Sequence, residues 1–300
     1  MIKIDERREV FGKRETERYF SPERTDYKEK ILEHCIKAVD FSLKLGKNGL
    51  PLIGSCDWND GFSRIGVTQK SESVWLGMFQ KIVLEGMADV CDRLNRKDKA
   101  EKYKQIAAKL EKTIESVAWQ GDRYARVILE DGSFMGEKND YIDILPQAFA
   151  VFAGLGAGGR AETALKTAYE RLFDEKSGVI RLLSPSFEDD DIDSVGYIAA
   201  YPEGIRENGG QYTHAAVWLA AAMLEKGMNE EGQKLLEAIN PMSFYDSEEK
   251  AKAYRAEPYV LAGDVSFGKG IAGRAGWTHF TGSAAWYYRT VQRYSNKIGE

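Results

Sequence analysis

No stretch of this 300-residue chain is apolar for long enough to cross a membrane, and its start, Met1-Ile-Lys-Ile-Asp-Glu-Arg-Arg8, lacks the apolar core of a secretion signal. A cytoplasmic protein is expected. Lysine and arginine number 42 against 47 aspartates and glutamates, a net charge of -5. With no basic excess to neutralise phosphates, nucleic acid and acidic membrane surfaces are excluded as general partners. Cys35, Cys56 and Cys91 are odd in number and lack paired metal spacing, which excludes a disulfide framework and a zinc site and leaves reduced thiols. Cys56 reads as a small buried filler. The Gly and Lys spacing of a nucleotide phosphate loop is missing. The acidic run Glu188-Asp-Asp-Asp191 with Asp193 has neither the spacing nor the internal glycine of a calcium loop, so it reads as a solvated loop and no metal site is expected. Low-complexity segments and crisp repeats are absent too.

What is present is a soluble globular composition, 43% hydrophobic and 30% charged, enough to bury a real core in one large domain or two ordinary ones. Residues 1–25 are charged and irregular and read as an extended entry segment. Apolar residues then recur at helical spacing over 27–45, 73–94, 98–117, 144–155, 160–173, 212–225, 230–239 and 283–293, about eight helices. Segment 122–129 reads as a short strand. Helices with a broad apolar face (73–94, 144–155, 212–225) alternate with helices apolar on one face only (98–117, 160–173, 230–239). Long loops enter the broad-faced ones. This alternation predicts an all-α fold, a partial (α/α)6 toroid of the six-hairpin type with long loops and minor β structure, over residues 26–300. Eight helices are too few to close six hairpins. The long loops gather at one end of such a fold and carry its chemistry.

The chain is organised around Gly49-Leu-Pro-Leu-Ile-Gly-Ser-Cys-Asp-Trp-Asn-Asp-Gly61, where Asp57, Trp58, Asn59 and Asp60 sit between Gly54 and Gly61, two glycines that leave the backbone free to turn. Two carboxylates beside an indole suit a sugar: the ring packs on a pyranose face, and a carboxyl near an apolar surface and a second carboxylate has the raised pKa a general acid needs. An Asp-rich turn capping the next helix fits the stretch equally well. Two loop-to-helix junctions stand out further on. In Tyr201-Pro-Glu-Gly-Ile-Arg-Glu-Asn-Gly-Gly-Gln-Tyr-Thr-His214, free amides at a helix start with Arg206 and His214 nearby would attract an anion. In Gly276-Trp-Thr-His-Phe-Thr-Gly-Ser283, Thr281 and Gly282 open the last helix with a hydroxyl and exposed amides. An ordinary N-cap and a satisfied core histidine account for each junction taken alone.

Together these motifs, with Glu257-Pro-Tyr-Val260, Thr281-Gly-Ser-Ala-Ala-Trp286, Arg18-Tyr19-Phe20 and Leu32-Glu-His-Cys35, resemble glycoside hydrolase family 94, which holds inverting cellobiose and chitobiose phosphorylases and the phosphorylase-like region of cyclic β-1,2-glucan synthases. The likeness runs from about Glu17 to the last helix. It implies Asp60 as the general acid, Trp58 lining the sugar site, and His214, Thr281 and Gly282 holding inorganic phosphate. Arg206 matches a basic position near the acceptor sugar, and Asp57, Tyr201, Glu207 and Gln211 join the expected sugar-binding set. No second catalytic carboxylate is then required, because phosphate arrives as an anion and attacks the anomeric carbon itself, giving α-glucose 1-phosphate from a β-glucoside. An inverting hydrolase would instead need a base to activate water. The implied partners are an oligosaccharide and phosphate as co-substrate, with no cofactor. Departures matter: the family's β-sandwich domain and first toroid helices are not in this sequence, so the donor subsite is expected to be completed by a missing N-terminal half or, in a homodimer, by a second chain. Cys56 and Phe62 replace a small residue and a methionine. An inactive carbohydrate-binding fragment is the third reading. The form Gln211-Tyr-Thr-His214 and the run Glu72-Ser-Val-Trp-Leu-Gly77 lean towards the β-1,2-glucan branch over the cellobiose-like one.

Overall fold

Ser73 starts the 20-residue helix Val74–Arg93: its hydroxyl accepts the Leu76 N–H at 3.0 Å. This computed structural model describes residues 2–3, 23–24, 26–279 and 281–297, with side chains for 26–279 and 282–296. The expected entry segment 1–25, with Arg18-Tyr19-Phe20, thus lies outside the described residues, apart from Ile2–Lys3 and Glu23–Arg24, which pair antiparallel. The chain divides into two units, Met1–Leu43 and Lys44–Glu300. The first holds α1, Ile31–Phe41, shorter than the periodicity of 27–45 suggests. Its Cys35 is exposed, whereas Ile36 and Val39 are buried.

The second unit contains α2 (Val74–Arg93), α3 (Lys97–Val117), α4 (Ile144–Phe152), α5 (Arg160–Leu172), the one-turn α6 (Ile192–Val195), α7 (Thr213–Glu225), α8 (Asn229–Ile239), α9 (Glu248–Tyr254) and α10 (Thr281–Arg293). Burial sorts them into layers. In α4 every residue from Ile144 to Val151 is buried, and α7 buries all of Ala215 to Leu224. By contrast α3 buries one stripe, Ala100, Tyr103, Ala107, Leu110 and Ile114, spaced by three or four residues. Helices α5 and α8 do the same. The inner helices α2, α4, α7 and α10 pack in that order, and α3, α5 and α8 lie outside α2, α4 and α7. This is the partial toroid.

Helix α2 is buried on much of its circumference, with Phe79 42% and Val90 40% exposed. The loop 240–279 contains α9, whose mixed Glu, Lys and Ala sequence carries too few apolar residues to show a period. Strands stay short. Glu72–Ser73 pairs with Val127–Ile128, so the predicted strand 122–129 contracts to two residues, and Gln211–Tyr212 pairs with Asp264–Val265. No helix among the described residues is long and apolar enough to cross a membrane.

The loops have cores of their own. Ile53, Phe62, Ile65, Val127, Met135, Tyr141, Leu183, Val195 and Ile198 form one cluster, and Val179, Phe244, Tyr254, Ala262 and Val265 another. Burial of this kind holds long connections still.

Candidate active site

The central loop is clamped from below. Arg126, with no side-chain exposure, donates Nη1–H to Asp57 Oδ2 and Nη2–H to Asp57 Oδ1, both at 2.6 Å. Ser73 Oγ adds a hydrogen bond to Asp57 Oδ2 at 2.7 Å, so the helix cap and the loop share one residue. Burial opposes the charge on Asp57, but the Arg126 guanidinium and these hydrogen bonds hold its pKa below the ordinary carboxylate value. On the other side of Arg126 lies Asp143, 3.3 Å from Nε, whose Oδ1 accepts the Leu145 N–H and caps α4. Burial pushes Asp143 upward. Asp57 was expected to touch sugar. Its carboxylate has no exposed surface and serves as the anchor of the loop.

Above the clamp, the backbone turns as the glycines were expected to allow, for two different reasons. Gly54 has φ +66°, a left-handed conformation. Gly61 is required for space, since a Cβ there would stand 2.7 Å from Ile198 Cβ. Asn59 Oδ1 accepts the Gly61 N–H at 3.0 Å, and Gly61 O accepts the Ile198 N–H at 3.1 Å. The loop is thereby seated on the turn 195–199. Asp60 emerges exposed at its tip. Cys56 is no buried filler: it is half-exposed, and its thiol stands 3.8 Å from Asp60 Oδ1. Burial raises the thiol pKa, and the nearby Asp60 and Asp57 charges push the same way, so the sulfur keeps its proton.

Trp58 joins the loop to α7. Its ring centroid is 5.1 Å from that of Tyr212, 5.6 Å from Trp218 and 6.4 Å from His214. His214 in turn lies 4.2 Å from Trp218 and 6.3 Å from Trp286 of α10. Inside this aromatic nest burial lowers the His214 pKa, favouring the neutral ring, and Nε2 is buried without a hydrogen-bond partner among the described residues. A Cβ on Gly282 would stand 3.9 Å from His214 Cε1, so the start of α10 faces the imidazole. Thr281 opens that helix, and its side chain lies outside the described residues.

The loop 201–210 is pinned by Asn208, which is fully buried: Oδ1 accepts the Phe187 N–H at 2.8 Å, and Nδ2 donates to Phe187 O at 3.0 Å and Tyr201 O at 2.7 Å. Arg206, at φ +48°, lies between two rings, its guanidinium 5.5 Å from Tyr201 and 5.2 Å from Trp277. Arg206 Nε and Glu207 Oε2 are 3.7 Å apart, and both are buried without hydrogen-bond partners among the described residues. Burial raises the pKa of Glu207, with the Asp264 and Asp60 charges adding to it; burial also raises Asp264. Gln211, expected at the sugar, is 1% exposed, and its Oε1 accepts the Ile180 N–H at 2.9 Å. Like Asp57, it supports the site from beneath.

Sequence reasoning passed over Arg126, Asn208, Tyr197, Trp218 and Trp277. An arginine inside a predicted strand was the available signal for Arg126. Its partner, 69 residues away, was not. Glu188–Asp193 forms a short helical turn with reciprocal capping by Glu188 and Asp191, and among the described residues no cluster of His, Cys, Asp and Glu is arranged to hold a metal ion.

Comparison with known proteins bears on the family and the fold. Cyclic beta-(1,2)-glucan synthase NdvB of Rhizobium meliloti (strain 1021) is 37% identical over 276 residues, covering 90% of this chain and 10% of that protein. Solabiose phosphorylase of Paenibacillus borealis is 29% identical, covering 88% of this chain and 34% of that protein. The chain thus spans a tenth to a third of these relatives. A solved glycosidase, the wild-type form, shares the fold at a TM-score of 0.52 with 14% identity over 76% of this chain and 53% of that one. A family model, that of the glycosyl hydrolase 94 superfamily catalytic domain, matches residues 7–295, nearly the whole length, and the chain belongs to that family.

Proposed function

We propose that the chain carries the acid and the phosphate cradle of an inverting glycoside phosphorylase that converts β-linked glucosides to α-glucose 1-phosphate. Asp60 donates a proton to the departing glycosidic oxygen, and inorganic phosphate attacks the anomeric carbon from the opposite face. His214, Thr281 and Gly282 hold that phosphate, Trp58 lies against the sugar, and Tyr201, Arg206 and Glu207 meet the leaving sugar. The observation that carries this reading is the buried Nε2 of His214, which has no hydrogen-bond partner among the described residues, beside the start of α10. A buried polar atom without a partner is costly, and a phosphate oxygen would supply one. β-1,2-Linked glucose oligomers are the favoured substrate, in line with the 37% identical relative named as a cyclic β-1,2-glucan synthase.

A hydrolase would need a carboxylate base such as Glu207 or Asp264, whose pKa burial raises in both cases, and dependence on phosphate separates the two readings. The test is phosphorus NMR of the purified chain with β-1,2-linked glucose oligomers and inorganic phosphate. An α-glucose 1-phosphate signal is expected, lost in Asp60→Asn with the circular dichroism spectrum unchanged. Glucose release independent of phosphate would replace this reading with hydrolysis. An Asp60→Asn variant that turns over at the wild-type rate would remove Asp60 from its role.

A further inference from the structure

Beside Asp60 begins a row of aromatic and guanidinium groups longer than one sugar requires. Tyr197 is 42% exposed on the turn that seats the central loop, and its ring lies 6.1 Å from Tyr201. Arg206 is 5.5 Å beyond Tyr201, and Trp277, 59% exposed, is 5.2 Å beyond Arg206. The four groups come from two segments, residues 197–206 and the loop at Trp277. Each is fixed by its own backbone: Tyr197 N–H donates to Ser63 Oγ at 3.3 Å, Asn208 holds Tyr201 O, and Trp277 O accepts the Gly263 N–H. The proximity of Asp60 is felt by Tyr197, whose pKa burial and the neighbouring charge push up to about 12.

We infer that Tyr197, Tyr201, Arg206 and Trp277 form a track for the leaving chain, on which Tyr201 and Arg206 meet the sugar bonded to the cleaved oxygen and Trp277 meets the units beyond it. This inference rests on the phosphorolytic reading above. A pyranose has an apolar face and a rim of hydroxyls, and the track offers ring faces interleaved with the Arg206 guanidinium. The exposed Asp60 at its start disfavours a polyanionic ligand such as nucleic acid. A neutral glucan chain suits both features. The substrate class is therefore an oligosaccharide of several glucose units, with Trp277 acting on the far units.

The test compares kcat/KM for the linear β-1,2-linked glucose pentamer and disaccharide in wild type, Trp277→Ala and Trp277→Phe. Wild type is expected to favour the pentamer, with the pentamer-to-disaccharide ratio falling about fivefold in Trp277→Ala and recovering in Trp277→Phe. A wild type indifferent to length, or a ratio unmoved by Trp277→Ala, overturns the track. Should neither sugar be turned over, the failure belongs to the phosphorolytic reading, and calorimetric titration with the same two sugars decides the track. Pentamer binding weakened in Trp277→Ala supports it, and pentamer binding absent or unmoved overturns it.

Discussion

Arg126 and Asp57 meet through two parallel hydrogen bonds of 2.6 Å, with neither side chain exposed, across 69 residues of sequence. The pair ties the loop bearing Trp58 and Asp60 to the strand edge beneath α2. Removing one member of such a pair leaves a buried, uncompensated charge. Arg126→Met is therefore expected to cost about 3–5 kcal/mol of stability, measured by urea unfolding. Arg126→Lys, which keeps the charge but not the fork, should fall between Arg126→Met and wild type. A Met variant as stable as wild type would refute the clamp.

The same pair predicts a pH dependence. Asp57 has its folded pKa below the ordinary value, so its contribution is present above the unfolded pKa, about 4, and is lost as pH falls through the folded value. Asp143, raised by burial, has the opposite sign: its contribution is lost as pH rises through its folded pKa. The stability gap between wild type and Asp57→Asn should thus be widest near neutrality and shrink below about pH 4. A gap independent of pH would contradict the assignment.

The layers of the fold were legible because they rest on local periodicity: the stripe Ala100, Tyr103, Ala107, Leu110 and Ile114 marks an outer helix, and the solid apolar run of 144–151 an inner one. Asp57 and Gln211 were misplaced for the opposite reason. Adjacent residues of one loop point in different directions, so Asp57 turns inward to Arg126 while Asp60 faces solvent, and motif membership alone does not separate them. Trp277 escaped notice because its meaning lies in its stacking with Arg206, 71 residues away.

Asn208 offers a test of the second loop. Its amide makes three hydrogen bonds with complete burial, joining residues 187 and 201. Asn208→Ala strands the Phe187 N–H and two carbonyls and should cost about 2–3 kcal/mol, seen as a lower Tm. Because Tyr201 and Arg206 ride on this loop, KM for the sugar should rise more than KM for phosphate. Equal changes in both would place the loop outside the sugar site.

His214 predicts a proton balance. Burial lowers its pKa, so without ligand its contribution to stability is complete above the unfolded histidine value of about 6.5 and is lost as pH falls through the folded one. A phosphate anion at Nε2 favours the imidazolium and raises that pKa again. Phosphate binding near pH 6 should therefore take up a fraction of a proton, measured by calorimetry in buffers of differing ionisation enthalpy. His214→Gln should abolish the uptake, and binding without uptake in wild type would move phosphate away from this ring.

Gly282 separates a structural role from a binding one. The methyl of Gly282→Ala would lie 3.9 Å from His214 Cε1, an ordinary contact, and alanine is the better helix former by up to about 1 kcal/mol. The fold should be as stable as wild type or slightly more so. The same methyl occupies the space between the start of α10 and the imidazole, where phosphate is expected, so KM for phosphate should rise about tenfold. A raised KM with an undiminished Tm assigns the glycine to ligand space. An unchanged KM would show that phosphate does not pass between Gly282 and His214, and the cradle would then have to be sought elsewhere around Trp58.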